Sequence, residues 1–127
     1  MDLRVDEDAL RALGVELVVL FGSHARGTSG PESDVDVGVV TQGEVPPLMD
    51  ARRGRIQDAL GFDGEIDLVF LAEADPLLLF QVATDGKPLY ERAPGTFEEF
   101  RIRAVKLYYD TAWIRRIEAE ALRRRYA

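Results

Sequence analysis

The chain contains no cysteine, so neither a disulfide framework nor a thiolate metal site is open to it. A reducing, cytoplasmic setting is the natural expectation. No apolar run approaches the length that spans a bilayer, and no membrane partner is expected. Met1 to Asp8 are acidic and lack the charged-then-apolar order of a signal peptide. The phosphate-binding pattern Gly-x-x-x-x-Gly-Lys-Ser/Thr is missing, which excludes a P-loop NTPase, and no Gly-x-Gly-x-x-Gly follows a strand to support dinucleotide binding. Ser23 and His24 are adjacent and lack an elbow motif, which makes a serine hydrolase a poor reading. An overall basic excess is missing too. The net charge of −7 argues against direct nucleic-acid binding.

What is present suits one compact domain: 127 residues, 46% of them hydrophobic. Charge is unevenly spread. Residues 101–127 carry a net +5, and the rest of the chain −12. A basic tail on an acidic body reads either as an interaction surface or as a solvated helix face.

Breakers and apolar runs divide the chain into alternating elements. Asp6 to Leu13 reads as a helix, N-capped by Asp6 and stopped by Gly14. Val15 to Phe21 is apolar apart from Glu16, as in a buried central strand. Ser23 to Arg26 starts a helix that Gly27 cuts short. Asp34 to Val40 is a second strand, and Pro46-Pro47 open a helix running to about Leu60. After a turn at Gly61 to Gly64, Glu65 to Leu71 form a third strand. Asp75-Pro76 then cap and open a helix to about Thr84. Asp85-Gly86 is a turn before a short strand from Lys87 to Arg92. Thr96 with Glu99 makes a capping-box pattern, and no breaker follows from Phe97 to Ala127, which predicts one long last helix. The order implies an α/β or α+β fold, a small mixed β-sheet flanked by helices.

The chemistry concentrates between Leu20 and Val40. A hydrophobic run ends in Gly22-Ser23, and ten residues later a second run carries Asp34 and Asp36 at alternate positions. Alternation on a strand sends both carboxylates to one face. Two such groups repel each other unless a cation lies between them, and hard oxygen ligands suit Mg²⁺. Glycine lets the backbone approach phosphate closely, and the serine offers a hydroxyl and an N–H at a helix start. Arg26, one turn on, is placed to neutralise phosphate charge, or is an ordinary surface arginine. Asp67 joins Asp34 and Asp36 if the third strand lies beside the second; it shares a strand face with Val69 and Leu71, while Ile66, Leu68 and Phe70 point the other way. Otherwise it caps a turn. A third carboxylate suits in-line nucleotidyl transfer, where attacking and leaving oxygens both need stabilising. His24 reads as exposed or phosphate-adjacent rather than as a base. Gly27 and Gly30 serve the loop's geometry.

The run Leu20 to Val40, with Gly22-Ser23, Asp34-Val35-Asp36 and the later Asp67, resembles the DNA-polymerase-β-type nucleotidyltransferase superfamily. The short length and the motif spacing resemble its minimal nucleotidyltransferases, prokaryotic antitoxin partners of HEPN-domain toxins. Gly86-Lys87-Pro88-Leu89-Tyr90-Glu91 is similar to the end of that family's pattern, and the likeness covers about residues 10 to 115. The resemblance implies a polymerase-β-like fold and one nucleotidyltransferase domain over residues 1–127, with a core over about 1–93 and a helical segment over about 96–127. It implies Mg²⁺ as cofactor, ATP as substrate and transfer of AMP to a tyrosine of the cognate toxin. By position Gly22 and Ser23, with Arg26, bind the nucleotide, while Asp34, Asp36 and Asp67 are catalytic and hold metal. His24 departs from the arginine or aromatic residue common there. Two other outcomes stay open: transfer to a small molecule such as an antibiotic, and a non-catalytic antitoxin that acts by binding.

The last helix fits a partner surface. Phe97, Phe100, Ala104, Leu107, Tyr108, Trp113, Ile114 and Ile117 exceed one narrow core-facing stripe. A homo- or hetero-oligomer through this helix is expected, or else simple cover for the sheet.

Overall fold

The most continuously apolar stretch of the chain takes the position with the most neighbours. Val15–Phe21 forms β1, with every residue but Glu16 buried. It pairs antiparallel with β2 (Val35–Thr41) on one side and with β4 (Lys87–Glu91) on the other. β2 in turn pairs parallel with β3 (Ile66–Phe70), giving the order β3-β2-β1-β4. The structure, a computed structural model, describes residues 3–27, 34–43 and 51–126. The mixed sheet and flanking helices are those the sequence predicts. Successive strands are neighbours except the last, which returns beside β1 and covers its second edge.

Helices lie on both faces of the sheet. On one, Leu10 of α1 (Glu7–Ala12) and Ile56 and Leu60 of α3 (Arg52–Leu60) join Val18, Val37 and Phe70 in one core. On the other, Val82 of α4 (Pro76–Asp85) and Phe100 and Ala104 of α5 (Thr96–Asp110) join Leu17, Val19 and Leu71. The alternation expected along β3 holds, with Leu68 and Phe70 in the first core and Val69 beside the second. Arg53 donates to the Leu68 carbonyl at 2.6 Å and lies over the Phe70 ring, which covers the outer edge of β3.

Local signals set most boundaries. Asp6 caps α1 by accepting from the Ala9 N–H at 3.1 Å, and Asp75 caps α4 through the Leu78 N–H at 2.8 Å. β2 begins at Val35, one residue after Asp34, and β3 is shorter than expected because Leu71–Glu73 wind into a 3-10 turn. Pro46-Pro47 and Gly30 lie outside the described residues.

Two expectations about the C-terminal region are corrected. There is no capping box. Gly95, in the left-handed region, precedes α5; the Thr96 hydroxyl donates back to the Ala93 carbonyl at 2.7 Å. Glu91, from the end of β4, accepts the Phe97 N–H at 2.8 Å. A strand-end carboxylate thus satisfies a helix-start donor in place of Glu99. Nor is the last helix continuous: α5 ends at Asp110, and α6 (Ala112–Tyr126) starts after Thr111. The Thr111 hydroxyl donates to the carbonyls of Leu107 at 2.7 Å and Tyr108 at 3.3 Å. Such back-bonding bends helices, and here it accompanies a residue at φ −101°, ψ 6°. No helix among the described residues is long and apolar enough to cross a membrane.

Candidate active site

The end of β1 builds the site. After buried Phe21, Gly22 takes φ 75° and ψ −154°, and the chain turns into the short helix α2 (Ser23–Arg26). A side chain there is excluded twice. The backbone conformation disfavours L residues, and a Cβ would run into the Asp36 carboxylate. The sequence predicts a close approach at this glycine; the structure shows what approaches it within the protein. Ser23 is the first residue of α2 and half-buried, in a turn whose leading N–H groups have no intrahelical acceptor. The Arg26 N–H closes that turn on the Gly22 carbonyl at 3.1 Å, and Gly27, at φ 73°, ends it.

Asp36 sits in the second position of β2, in register with Phe21 on one side and with Asp67 on the other. Registered residues of adjacent strands lie about 5 Å apart and point to the same face. The condition set for Asp67, that β3 lie beside β2, is therefore met. Asp34 stands just before β2, exposed, at the rim of the same site. The Asp36 carboxyl is pushed above its ordinary range by burial first, then by the charges of Asp67 and Asp34; His24 and Arg26 pull it partly back. This is the electrostatic signature of carboxylates converging beside cations.

Among the described residues no three histidine, cysteine or carboxylate side chains form a ready-made metal cage. The arrangement is open: Asp36 and Asp67 side by side with Asp34 at the rim. That donor set fits an ion such as Mg²⁺, which takes one or two carboxylates and leaves most of its shell to water and phosphate oxygens.

Two features escaped the sequence reading. Gly38, two residues along β2 from Asp36, is overlaid by Leu71, which a Cβ would strike. The leucine floors the site, and a glycine inside a strand pattern is the signal for such close packing. Arg26 lies 3.8 Å from the carboxylate of Asp85, the last residue of α4, with both side chains substantially exposed. An acidic residue at a helix C-terminus opposes the macrodipole; that misfit was the available clue to a partner elsewhere.

Residues 8–95 match the family model described as polymerase beta, nucleotidyltransferase. The chain is 36% identical over 93 residues to the protein adenylyltransferase MntA of Shewanella oneidensis, an alignment that covers 72% of this chain. It spans only 63% of that relative's length. A crystal structure of a toxin–antitoxin with AMP-PNP superposes with a TM-score of 0.69 at 28% identity, over 93% of this chain and 99% of the other. A tri-AMPylated Shewanella oneidensis HEPN toxin in complex with MNT antitoxin gives a TM-score of 0.65 at 27% identity, over 91% of each chain.

Proposed function

Because this chain belongs to the polymerase β nucleotidyltransferase family, we propose that it transfers AMP from ATP to a tyrosine of a cognate HEPN-type toxin and so acts as an antitoxin. The observation that carries this reading is the register pairing of Asp36 with Asp67 directly beside Gly22. Relatives named as a protein adenylyltransferase and as an antitoxin bound to an AMPylated toxin support the choice of acceptor.

In this reading Asp34, Asp36 and Asp67 hold Mg²⁺, which when bound supplies positive charge at the reacting phosphate. The turn at Gly22 and Ser23 receives the triphosphate through backbone N–H groups and the serine hydroxyl. Arg26 neutralises phosphate charge next to the carboxylates. The tyrosine oxygen bonds to the α-phosphorus, the bond from that phosphorus to the bridging oxygen breaks, and pyrophosphate leaves. Asp67, the more exposed of the strand carboxylates, is placed to accept the tyrosine proton. The sheet and its C-terminal helices work as one domain in a reducing cytoplasm. The toxin docks on α6, which exposes apolar side chains without covering any core.

The test is incubation of the purified chain with Mg²⁺, ATP and the product of an adjacent reading frame that encodes a small all-helical protein, followed by mass spectrometry of that protein. The expected result is the added mass of one or more AMP groups on a tyrosine peptide. An unmodified neighbour, with AMP transferred to a small molecule instead, would overturn the acceptor assignment.

A further inference from the structure

The elbow between α5 and α6 holds a cluster that the transfer chemistry does not use. Phe80 of α4 stacks on Tyr108 of α5 with ring centroids 4.0 Å apart. On Tyr108 lies the guanidinium of Arg115 from α6, 3.8 Å from the ring centroid. Arg115 also donates to the Tyr108 carbonyl and, at 3.0 Å, to the Thr111 hydroxyl. Arg115 therefore joins α6 to α5, and Tyr108 carries the link on to α4.

The chemistry of a helix end explains why an arginine stands there. Since the helix breaks at Thr111, the last carbonyls of α5 lose their usual intrahelical donors. A guanidinium offers several N–H groups in a planar fork and a flat face for an aromatic ring, so it satisfies such a carbonyl and stacks at once. Its charge also complements the negative end of the α5 dipole.

Little else directs α6. None of its residues is buried, and α5 is its principal contact. Trp113, Ile117 and Leu122 are each more than half exposed. A cleft of about 350 Å³, bordered by Pro76, Leu77, Ile114 and Arg115, separates it from the start of α4.

We infer that Arg115 is a positioning residue: its contact with Tyr108, itself stacked on Phe80, fixes the direction of α6 and with it the place where the acceptor protein docks. This rests on the transfer reading above, and the occupant is that acceptor. Its docking face would be apolar with an acidic rim, because α6 carries five arginines against two glutamates around its exposed apolar side chains. A second copy of this chain is the other outcome, which solution mass would reveal. α4 joins the two ends of the molecule, with Phe80 under the elbow and Asp85 against Arg26. An arm fixed to α4 is thereby fixed relative to Asp36.

Trp113 is the chain's only tryptophan, so its fluorescence reports the elbow directly. Arg115→Ala should lower Trp113 anisotropy and raise KM for the acceptor about tenfold, the loss expected for charged hydrogen bonds. Affinity for Mg²⁺-ATP and kcat should stay unchanged. Arg115→Lys keeps the charge but not the fork and should fall between, while Arg116→Ala should leave anisotropy as it is. Unchanged anisotropy in Arg115→Ala would show that Arg115 does not hold the arm. Lowered anisotropy with an unchanged KM would show that the acceptor does not read the arm's direction. If the wild-type chain transfers no AMP, the functional proposal falls. The positioning role is then judged by anisotropy together with calorimetric binding of the neighbour protein.

Discussion

Six of the seven residues of β1 are buried, and none of the fifteen residues of α6 is. Each strand face of β1 meets a helix layer and each edge meets another strand, so its position is determined many times over. α6 is held at one end. The contrast divides the molecule by task. A site that brings Asp36 against Gly22 and beside Asp67 needs a support that does not give. A helix that offers Trp113, Ile117 and Leu122 to solvent is free to serve the docking proposed above.

The largest expected effect strikes the rigid end. Asp36→Asn should lower AMP transfer by about 10²–10³-fold or more, the scale of losing one preorganised electrostatic group. The fold should persist and become more stable at neutral pH, because the substitution removes a charge that burial, Asp67 and Asp34 all disfavour. Transfer rates and thermal unfolding of the same sample check both halves. At the other end, deleting residues 111–127 should leave ATP binding nearly as it is, lower the melting temperature only modestly through loss of the Thr111 and Arg115 contacts, and abolish modification of the partner. A truncated chain that still modifies its partner normally would reduce α6 to ornament and collapse the comparison.

The next effects sharpen it in free energy. Leu17→Ala, in the core under α4 and α5, should cost about 2–5 kcal/mol, whereas Leu122→Ala on α6 should change stability by less than about 0.5 kcal/mol. Denaturant titration measures both, and equal costs would mean that α6 packs on the body in solution. Gly22→Val should cost about 1–3 kcal/mol in backbone strain and eliminate ATP binding through its clash with Asp36. Ser23→Ala removes the hydrogen bond proposed to phosphate and should weaken ATP binding by about tenfold. Calorimetric titration in Mg²⁺ distinguishes them.

The smallest effect is the pH dependence of stability without metal. Asp36 is raised in the folded state, so between its ordinary value and the raised one the folded chain binds more protons than the unfolded chain. Stability contributed by this group is therefore full at low pH and declines as pH rises through that window, then levels off. Asp36→Asn should remove this component of the slope, which melting curves across acidic pH measure. α6 variants should leave it intact.

Much of the site was legible because its signals are local. Gly22 is required by backbone conformation, Asp36 lies on β2 with Asp34 just before it, close to the alternation expected, and Asp6 and Asp75 cap the helices that follow them. What was misread lies where a distant residue does the work. Glu91 displaced Glu99 as the acceptor at the start of α5. Thr111, an unremarkable residue in a helical pattern, became a break once its hydroxyl bonded backward and Arg115 took up the Tyr108 carbonyl. Asp85, read as a turn residue, ends α4 opposite Arg26.

The sequence by itself determined which segments are strands, where α2 must start and which carboxylates are available, because periodicity, φ restrictions and side-chain chemistry act within a few residues. Only the tertiary structure decided that β3 lies beside β2, so that Asp67 joins Asp36. It alone decided that β4 returns to β1 and that the last helix turns at Thr111. Strand pairing is a competition among all apolar faces and free edges of the chain at once, and a helix end is set by whichever donor reaches its orphaned carbonyls first. Neither outcome is contained in any window of neighbouring residues.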